Sequence, residues 1–150
     1  MDLIPGANWY GSDEADPRAF ALYQRHYSAK RRPRGRSKHF VGPGEKLVLL
    51  TTPGDAVFVW RLERPGMRRD GLEGVYCVLF RNEGPYRSSA LIREAEQLAW
   101  ARWPGQTLLT HVRADAVASA VPGWCFIRAR WKRAGTSANG LLLFEKRPRG

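Results

Sequence analysis

Cysteine is scarce in this chain, with two residues, Cys77 and Cys125, among 150. No Cys-x-x-Cys pair and no Cys/His spacing of a zinc site occurs, which argues against a structural zinc centre. Two buried thiols in a reducing compartment are the expected state. Long apolar runs are absent too. No stretch approaches the roughly 20 apolar residues that a spanning helix needs, so no membrane segment is expected. The first residues lack the basic start and apolar run of a secretory signal, and a cytoplasmic location is expected. There is no internal repeat and no low-complexity linker, so a single domain over residues 1–150 is expected.

Acidic residues are also few. Fourteen Asp and Glu stand against 25 Lys and Arg, a formal charge of +11. Hydrophobic residues at 43% and aromatics at 11% exclude a disordered tail and favour a packed core. A core with this much positive charge is suited to a polyanionic partner, with nucleic acid foremost. An Arg-rich composition also arises from a GC-rich coding sequence. Oligomeric state is not legible, and a dimer is one option.

Read along the chain, Trp9-Tyr10 sits in an extended lead-in with room for a short strand. Asp13-Glu14-Ala15-Asp16-Pro17 is a strong helix start, and the helix is predicted to run to about Tyr27. A basic loop over residues 30–39 follows, with Lys30, Arg31, Arg32, Arg34, Arg36 and Lys38 interrupted by Pro33 and Gly35. Such a loop is either solvated charge or a set of phosphate contacts, which position a partner without reading sequence. Lys46–Thr52 and Ala56–Leu62 are predicted strands of a hairpin around Pro53-Gly54-Asp55. A second basic loop, 64–71, leads into a strand over Gly74–Phe80, giving an antiparallel meander. A helix ends near Trp103, and Pro104-Gly105 stops it sharply. The strand Gln106–Val112 then completes a crossover, which places it parallel to Val75–Phe80. A last helix is predicted from Trp124 to Ala134 with Gly135 as its cap. A final strand covers Leu141–Lys146, and a basic tail covers 147–150.

The chain is organised around Gly74–Trp103. An apolar strand gives way to Arg81-Asn82-Glu83-Gly84-Pro85-Tyr86-Arg87-Ser88-Ser89, which opens directly onto a helix with Leu91, Ile92, Ala95, Leu98 and Ala99 on one face. A strand–loop–helix junction of this kind aims free backbone N–H groups and a positive helix end at one point. Ser88 or Ser89 is the expected N-cap. A cap of that type and an anion site coincide here.

The order helix, three strands, loop, helix, strand, helix, strand resembles the GNAT acyltransferase fold over roughly residues 13–146. That resemblance implies an α+β (α/β) architecture: a mixed sheet with an antiparallel meander, then a parallel strand–helix–strand unit whose central strand splays. In that family the loop Gln/Arg-x-x-Gly-x-Gly/Ala holds an acyl-CoA pyrophosphate. Arg81-Asn82-Glu83-Gly84 matches its first four positions, and the resemblance assigns Arg81, Gly84, Ser88 and Ser89 to cofactor binding. Tyr86 departs from the pattern, because Gly or Ala is expected there and a side chain obstructs a pyrophosphate. A narrower resemblance, carried by His26-Tyr27-Ser28, Phe80-Arg81-Asn82-Glu83, Ser88-Ser89-Ala90-Leu91-Ile92 and Pro122-Gly123-Trp124-Cys125-Phe126, is to Mom-type DNA-modification proteins of phages and mobile elements. Those are GNAT-like proteins that convert adenine to an N6-carbamoylmethyl form, and iron and an unusual donor have been implicated for them. The resemblance thus implies DNA as partner, a small-molecule donor and an iron ion, with His26 as its tentative ligand. Two alternatives stand beside it: an acyl-CoA-dependent N-acetyltransferase acting on a small-molecule or protein amine, and a non-catalytic nucleic-acid-binding module.

The residues assign roles as follows. His26 and Tyr27 form an acid/base pair or a metal site, or are a helix-terminal His beside a core Tyr. Glu83 is a candidate general base and Asn82 a candidate reader of a base edge, where a solvated turn is the plainer alternative. Asp115 is a carboxylate of the same pocket or a cap. His111 reaches that pocket only if it faces the splay, which alternation does not settle. Trp124 is a candidate stacking platform for an extruded base, with Lys30, Arg31, Arg32, Arg34, Arg36 and Lys38 as candidate DNA contacts. Cys125 has no neighbouring base or acid to make it a nucleophile.

Overall fold

The computed structural model describes residues 8–25, 41–64, 66, 71–113, 123–137 and 139–149. These form seven strands and three helices: β1 (Trp9–Ser12), α1 (Pro17–Arg25), β2 (Glu45–Thr51), β3 (Ala56–Leu62), β4 (Val75–Asn82), α2 (Ser88–Arg102), β5 (Leu108–Val112), α3 (Trp124–Arg128), β6 (Lys132–Thr136) and β7 (Leu142–Lys146). The strands build one mixed sheet in the order β1-β2-β3-β4-β5-β7-β6. Every neighbouring pair is antiparallel except β4 and β5, which run parallel. The expected mixed α+β class, meander and parallel crossover are therefore present. Among the described residues, no helix is long and apolar enough to cross a membrane.

Alternation along the strands divides the core into two layers. Val48, Leu50, Val57 and Val59 meet Ala19, Leu22 and Tyr23 of α1 on one face. Phe58, Trp60, Val75 and Leu108 meet Leu91, Ile92, Ala95 and Ala99 of α2 on the other. Two indoles pin α2 in place: Trp9 Nε1 donates to the Leu91 carbonyl (2.8 Å) and Trp60 Nε1 to the Ala95 carbonyl (3.0 Å), one turn further on. The α1 start is as expected. Asp16 precedes Pro17, its backbone carbonyl accepts from Phe20 N, and its side chain accepts from Arg18 N.

Three boundaries differ from the sequence reading, each for a long-range reason. Strand β4 continues past Phe80 through Arg81 and Asn82, because β3 pairs with it back to Ala56 (Val57↔Arg81, Ala56↔Asn82). Helix α2 begins at Ser88, so Arg87 and not a serine holds the N-cap position, with no side-chain cap bond. The last helix, expected to reach Ala134, stops at Arg128. Trp131 N donates to the Phe126 carbonyl and Arg130 N to the Ile127 carbonyl, a Schellman closure with Arg130 in the left-handed position (φ 70°). Burial explains the early stop. Trp131 stacks on Trp60 (centroids 6.2 Å apart, planes 7° apart) and donates to the Glu96 carboxylate (2.8 Å). Burying a large side chain stabilises by about 1.5–3 kcal/mol, against tenths per residue for helix preference. The freed segment Lys132–Thr136 pairs with β7.

Glu96, almost fully buried on α2, also accepts from Lys146 Nζ (2.7 Å), which donates in addition to the Ala129 carbonyl (2.7 Å). This pair ties α2, the end of α3 and β7 together. Lys146→Met leaves a buried carboxylate without its cation and is expected to lower stability by about 3 kcal/mol. Adding Glu96→Leu is expected to restore much of that loss, which a double-mutant cycle in urea measures.

Candidate functional site at the opening of the sheet

The parallel ladder between β4 and β5 is three pairs long: Val75↔Leu108, Tyr76↔Leu109 and Cys77↔Thr110. Its start is set by Gly74 (φ 141°), where a Cβ would come within 2.3 Å of the Thr107 carbonyl oxygen, the acceptor of the Val75 N–H. Its end coincides with a bulge. Trp60 pairs with Cys77 and Val59 with Leu79, so Val78 has no counterpart on β3. A bulge bends and twists its strand locally. Beyond it β4 follows β3 to Asn82, while His111 and Val112 of β5 follow β7. The sheet thus loses its ladder at the carboxyl ends of its two parallel strands, the place where open α/β sheets receive ligands.

The loop from β4 to α2 lies beside this opening, and it is closed upon itself. Asn82 Nδ2 donates to the Tyr86 carbonyl (2.8 Å) and to Ser88 Oγ (3.1 Å), while its Oδ1 accepts from Gly84 N (3.0 Å). Glu83 N donates to the Asp55 carbonyl (2.7 Å) in the β2–β3 turn. A Cβ on Gly84 would meet the Asp55 carboxylate at 2.5 Å and the Tyr86 ring at 2.9 Å, so only glycine fits. Asp55 is held in turn by Thr51 Oγ1 (2.7 Å). A pyrophosphate cradle needs converging free N–H groups. Here the Glu83 and Gly84 N–H groups are committed, Pro85 has none, and a carboxylate and an aromatic ring crowd Gly84. The stretch Glu83–Pro85 therefore offers no free N–H to a pyrophosphate.

Glu83 is anchored electrostatically. Arg25, at the end of α1, donates to both of its oxygens (2.7 and 2.9 Å), and Arg81 Nε donates to one of them. Hydrogen bonds from these two guanidinium groups hold the Glu83 carboxyl down at about 2. A carboxylate so stabilised is a poor proton acceptor and a good tether between α1 and the loop. The expected cofactor residues Arg81, Gly84 and Ser88 are therefore adjacent, with Arg81 turned to Glu83 and Ser88 to Asn82. Ser89 is buried.

On β5 the register settles the facing of His111. Leu108 and Val112 belong to the α2 layer, so Leu109 and His111 point to the other side. There His111 Nδ1 lies 2.7 Å from the Tyr76 hydroxyl, on the adjacent parallel strand. The Arg61 guanidinium sits over the Tyr76 ring (6.0 Å). Tyr76, Arg25 and Asp55 carry no local signal that marks them in the sequence. Each is recognisable only through a partner far along the chain. Cys77 is buried and its thiol is pushed up to about 12 by burial, and burial also raises Cys125, so neither is poised as a thiolate.

Trp124 stands on α3, exposed to 49%, with the Arg128 guanidinium 5.7 Å from its ring centre. Its neighbour Phe126 turns inward and meets Phe80 of β4 edge-on. His26, Tyr27, Asp115, Lys30, Arg31, Arg32, Arg34, Arg36 and Lys38 lie outside the described residues. Among the described residues, no group of three or more His, Cys, Asp or Glu side chains is placed to hold a metal ion. No protein-family model matches the chain, and neither a curated protein nor a solved structure matches it.

Titrating Glu83 by NMR is expected to give a midpoint near 2, against about 4.3 for an unpaired Glu. Because the folded value is the lower one, the contribution of Glu83 to stability is complete above about 4.3 and is lost as pH falls through about 2. Glu83→Gln is expected to remove that part of the acid dependence with little effect at pH 7, as the pair is largely exposed. A midpoint near 4.3 would contradict the tether. Asn82→Ala, which opens the loop, is expected to cost about 1–3 kcal/mol in chemical unfolding.

Proposed function

We propose that this chain is a GNAT-like transferase that modifies DNA, with the exocyclic amine of adenine as acceptor and a Mom-like carbamoylmethyl group as the group transferred. The observation that carries the reading is the three-residue parallel ladder, which ends at a bulge beside a strand–loop–helix junction. The formal charge of +11 supports a polyanionic substrate. The closed loop argues against the alternative of an acyl-CoA-dependent N-acetyltransferase, because the Glu83 and Gly84 N–H groups are already committed and Asp55 and Tyr86 crowd Gly84.

The acceptor nitrogen of a base is reached most directly when the nucleotide leaves the stack. As that nitrogen forms its bond to the transferred carbon, the bond from that carbon to its small-molecule donor breaks, the leaving group keeps the electron pair, and the nitrogen gives up one proton. Glu83, held ionised by Arg25 and Arg81, is too weak a base to take it. We assign the proton to the Tyr76–His111 pair, on the two strands that part. Imidazole is the side chain best suited to exchange a proton near neutral pH.

The test is mass spectrometry of nucleosides from the DNA of cells that express the protein. A modified deoxyadenosine, heavier by one carbamoylmethyl group, is expected. His111→Gln is expected to lower its yield by about a hundredfold or more while leaving DNA binding in place. An unmodified digest from cells holding soluble protein would refute the transferase. Salt-sensitive DNA binding under those conditions would instead identify a non-catalytic binding module.

A further inference from the structure

A sizeable concavity among the described residues lies away from the sheet opening. A cleft of about 860 Å³ runs between the outer face of α2, the α3–β6 link and the chain after β7, bordered by Trp100, Arg93, Arg130, Pro148 and Arg149. A second cleft of about 470 Å³, lined by Lys132 and Arg147, shares Arg130, Lys146 and Arg149 with it. The two therefore form one continuous groove. Its carboxylates do not cancel its cations. Glu96 is neutralised by Lys146 and Trp131 at the floor, and Glu94 accepts from Asn8. Glu94, whose Asn8 partner is uncharged, and Glu145 are the remaining acids, against the guanidinium groups of Arg130, Arg147 and Arg149, all three on exposed residues.

Two features point to a ligand beyond charge. Trp100 Nε1 donates to the Gln106 carbonyl (2.8 Å), which fixes the half-buried indole as a wall of the cleft. Arg130 occupies the left-handed position that closes α3, with φ 70°. Glycine is the residue that takes this conformation freely, and a side chain there is strained. The closure of α3 places Arg130 there, and the exposed position leaves its guanidinium at the groove. The strained residue is one of the three that both clefts share.

We propose that this groove is a subsite for a single strand of DNA. Trp100 offers a platform to one base, while Arg130, Arg147 and Arg149 hold the phosphates of the flanking nucleotides. An aromatic platform within a cationic groove is the arrangement that follows a single strand, and a cleft of this size takes a nucleotide and not a duplex. The inference rests on the reading of DNA as substrate and adds its strand state and its path over the protein.

Fluorescence anisotropy with a labelled oligodeoxythymidine and its duplex, over a range of salt, tests it on the full chain. The single strand is expected to bind at least tenfold more tightly than the duplex. Arg130→Gly is expected to weaken strand binding severalfold while raising the melting temperature, so lost binding is not lost folding. Each guanidinium removed from Arg130, Arg147 or Arg149 is expected to lower the slope of log affinity against log salt by about 0.7. Trp100→Leu is expected to weaken binding at least fivefold, since stacking contributes about 1–3 kcal/mol per base. Arg64→Ala, outside the residues that line the groove, is expected to bind as the parent does. Equal affinity for duplex, or unchanged binding by Arg130→Gly, or an equal loss from Arg64→Ala, would overturn the groove. Cellular DNA that is modified despite such a result would leave the transferase reading standing. Unmodified DNA alongside groove-dependent strand binding would remove the transferase and keep the groove.

Discussion

Three residue pairs hold this sheet together. β1 to β4 form one antiparallel half and β5, β7 and β6 another, and among the described residues the ladder from Val75–Cys77 to Leu108–Thr110 is the strand pairing that joins them. So short a junction contributes little by itself, and the layer of α2 reinforces it. Trp9 and Trp60 donate to carbonyls one turn apart on that helix, Trp131 stacks on Trp60, and Glu96 links α2 to Lys146 of β7. With α2 spanning both halves, the strands are free to part beyond Cys77 without the halves separating. The opening is thus a property of the packing and not a defect in it.

The same constraint shapes the loop above the opening. β3 carries its pairing to Ala56, which keeps Arg81 and Asn82 in strand geometry and brings the β2–β3 turn against Gly84. Asn82 then closes the loop and Asp55 fills the space beside it. The result is a rim whose Glu83 and Gly84 donors are already used. It leaves the groups of the proposed chemistry, Tyr76 and His111, on the strands themselves, where they are positioned by register and not by a mobile segment.

Much of this was legible in the sequence because it is local. Apolar alternation and turn residues predict β3 with its observed bounds and β2, β5 and β7 to within two residues, and the crossover rule makes β5 parallel to β4. What was not legible depends on distant partners. The stop of α3 at Arg128 follows from the burial of Trp131 against Trp60 and Glu96, and neither lies nearby in sequence. The commitment of Glu83 to Arg25, and the facing of His111 toward Tyr76, follow from the docking of α1 and from the register of β5. The candidate site was legible as a segment, Arg81–Ser89, but its chemistry was not. Of the residues read as a base and an anion cradle, Glu83 is bound to Arg25 and Arg81, and Gly84 N to Asn82. His26, Tyr27, Asp115 and the basic loop lie outside the described residues.

The proposed enzyme combines two surfaces: an opening in the sheet without a pyrophosphate cradle, and a cationic groove that ends in the chain after β7. Thermal melting of the protein with increasing acetyl-CoA, and in parallel with a short oligodeoxynucleotide, tests that combination in one experiment. A ligand at a hundred times its dissociation constant stabilises by about 2.7 kcal/mol, a readily measured rise in melting temperature. The expected result is a rise with the oligonucleotide and none with acetyl-CoA. A dose-dependent rise with acetyl-CoA, and none with the oligonucleotide, would contradict it.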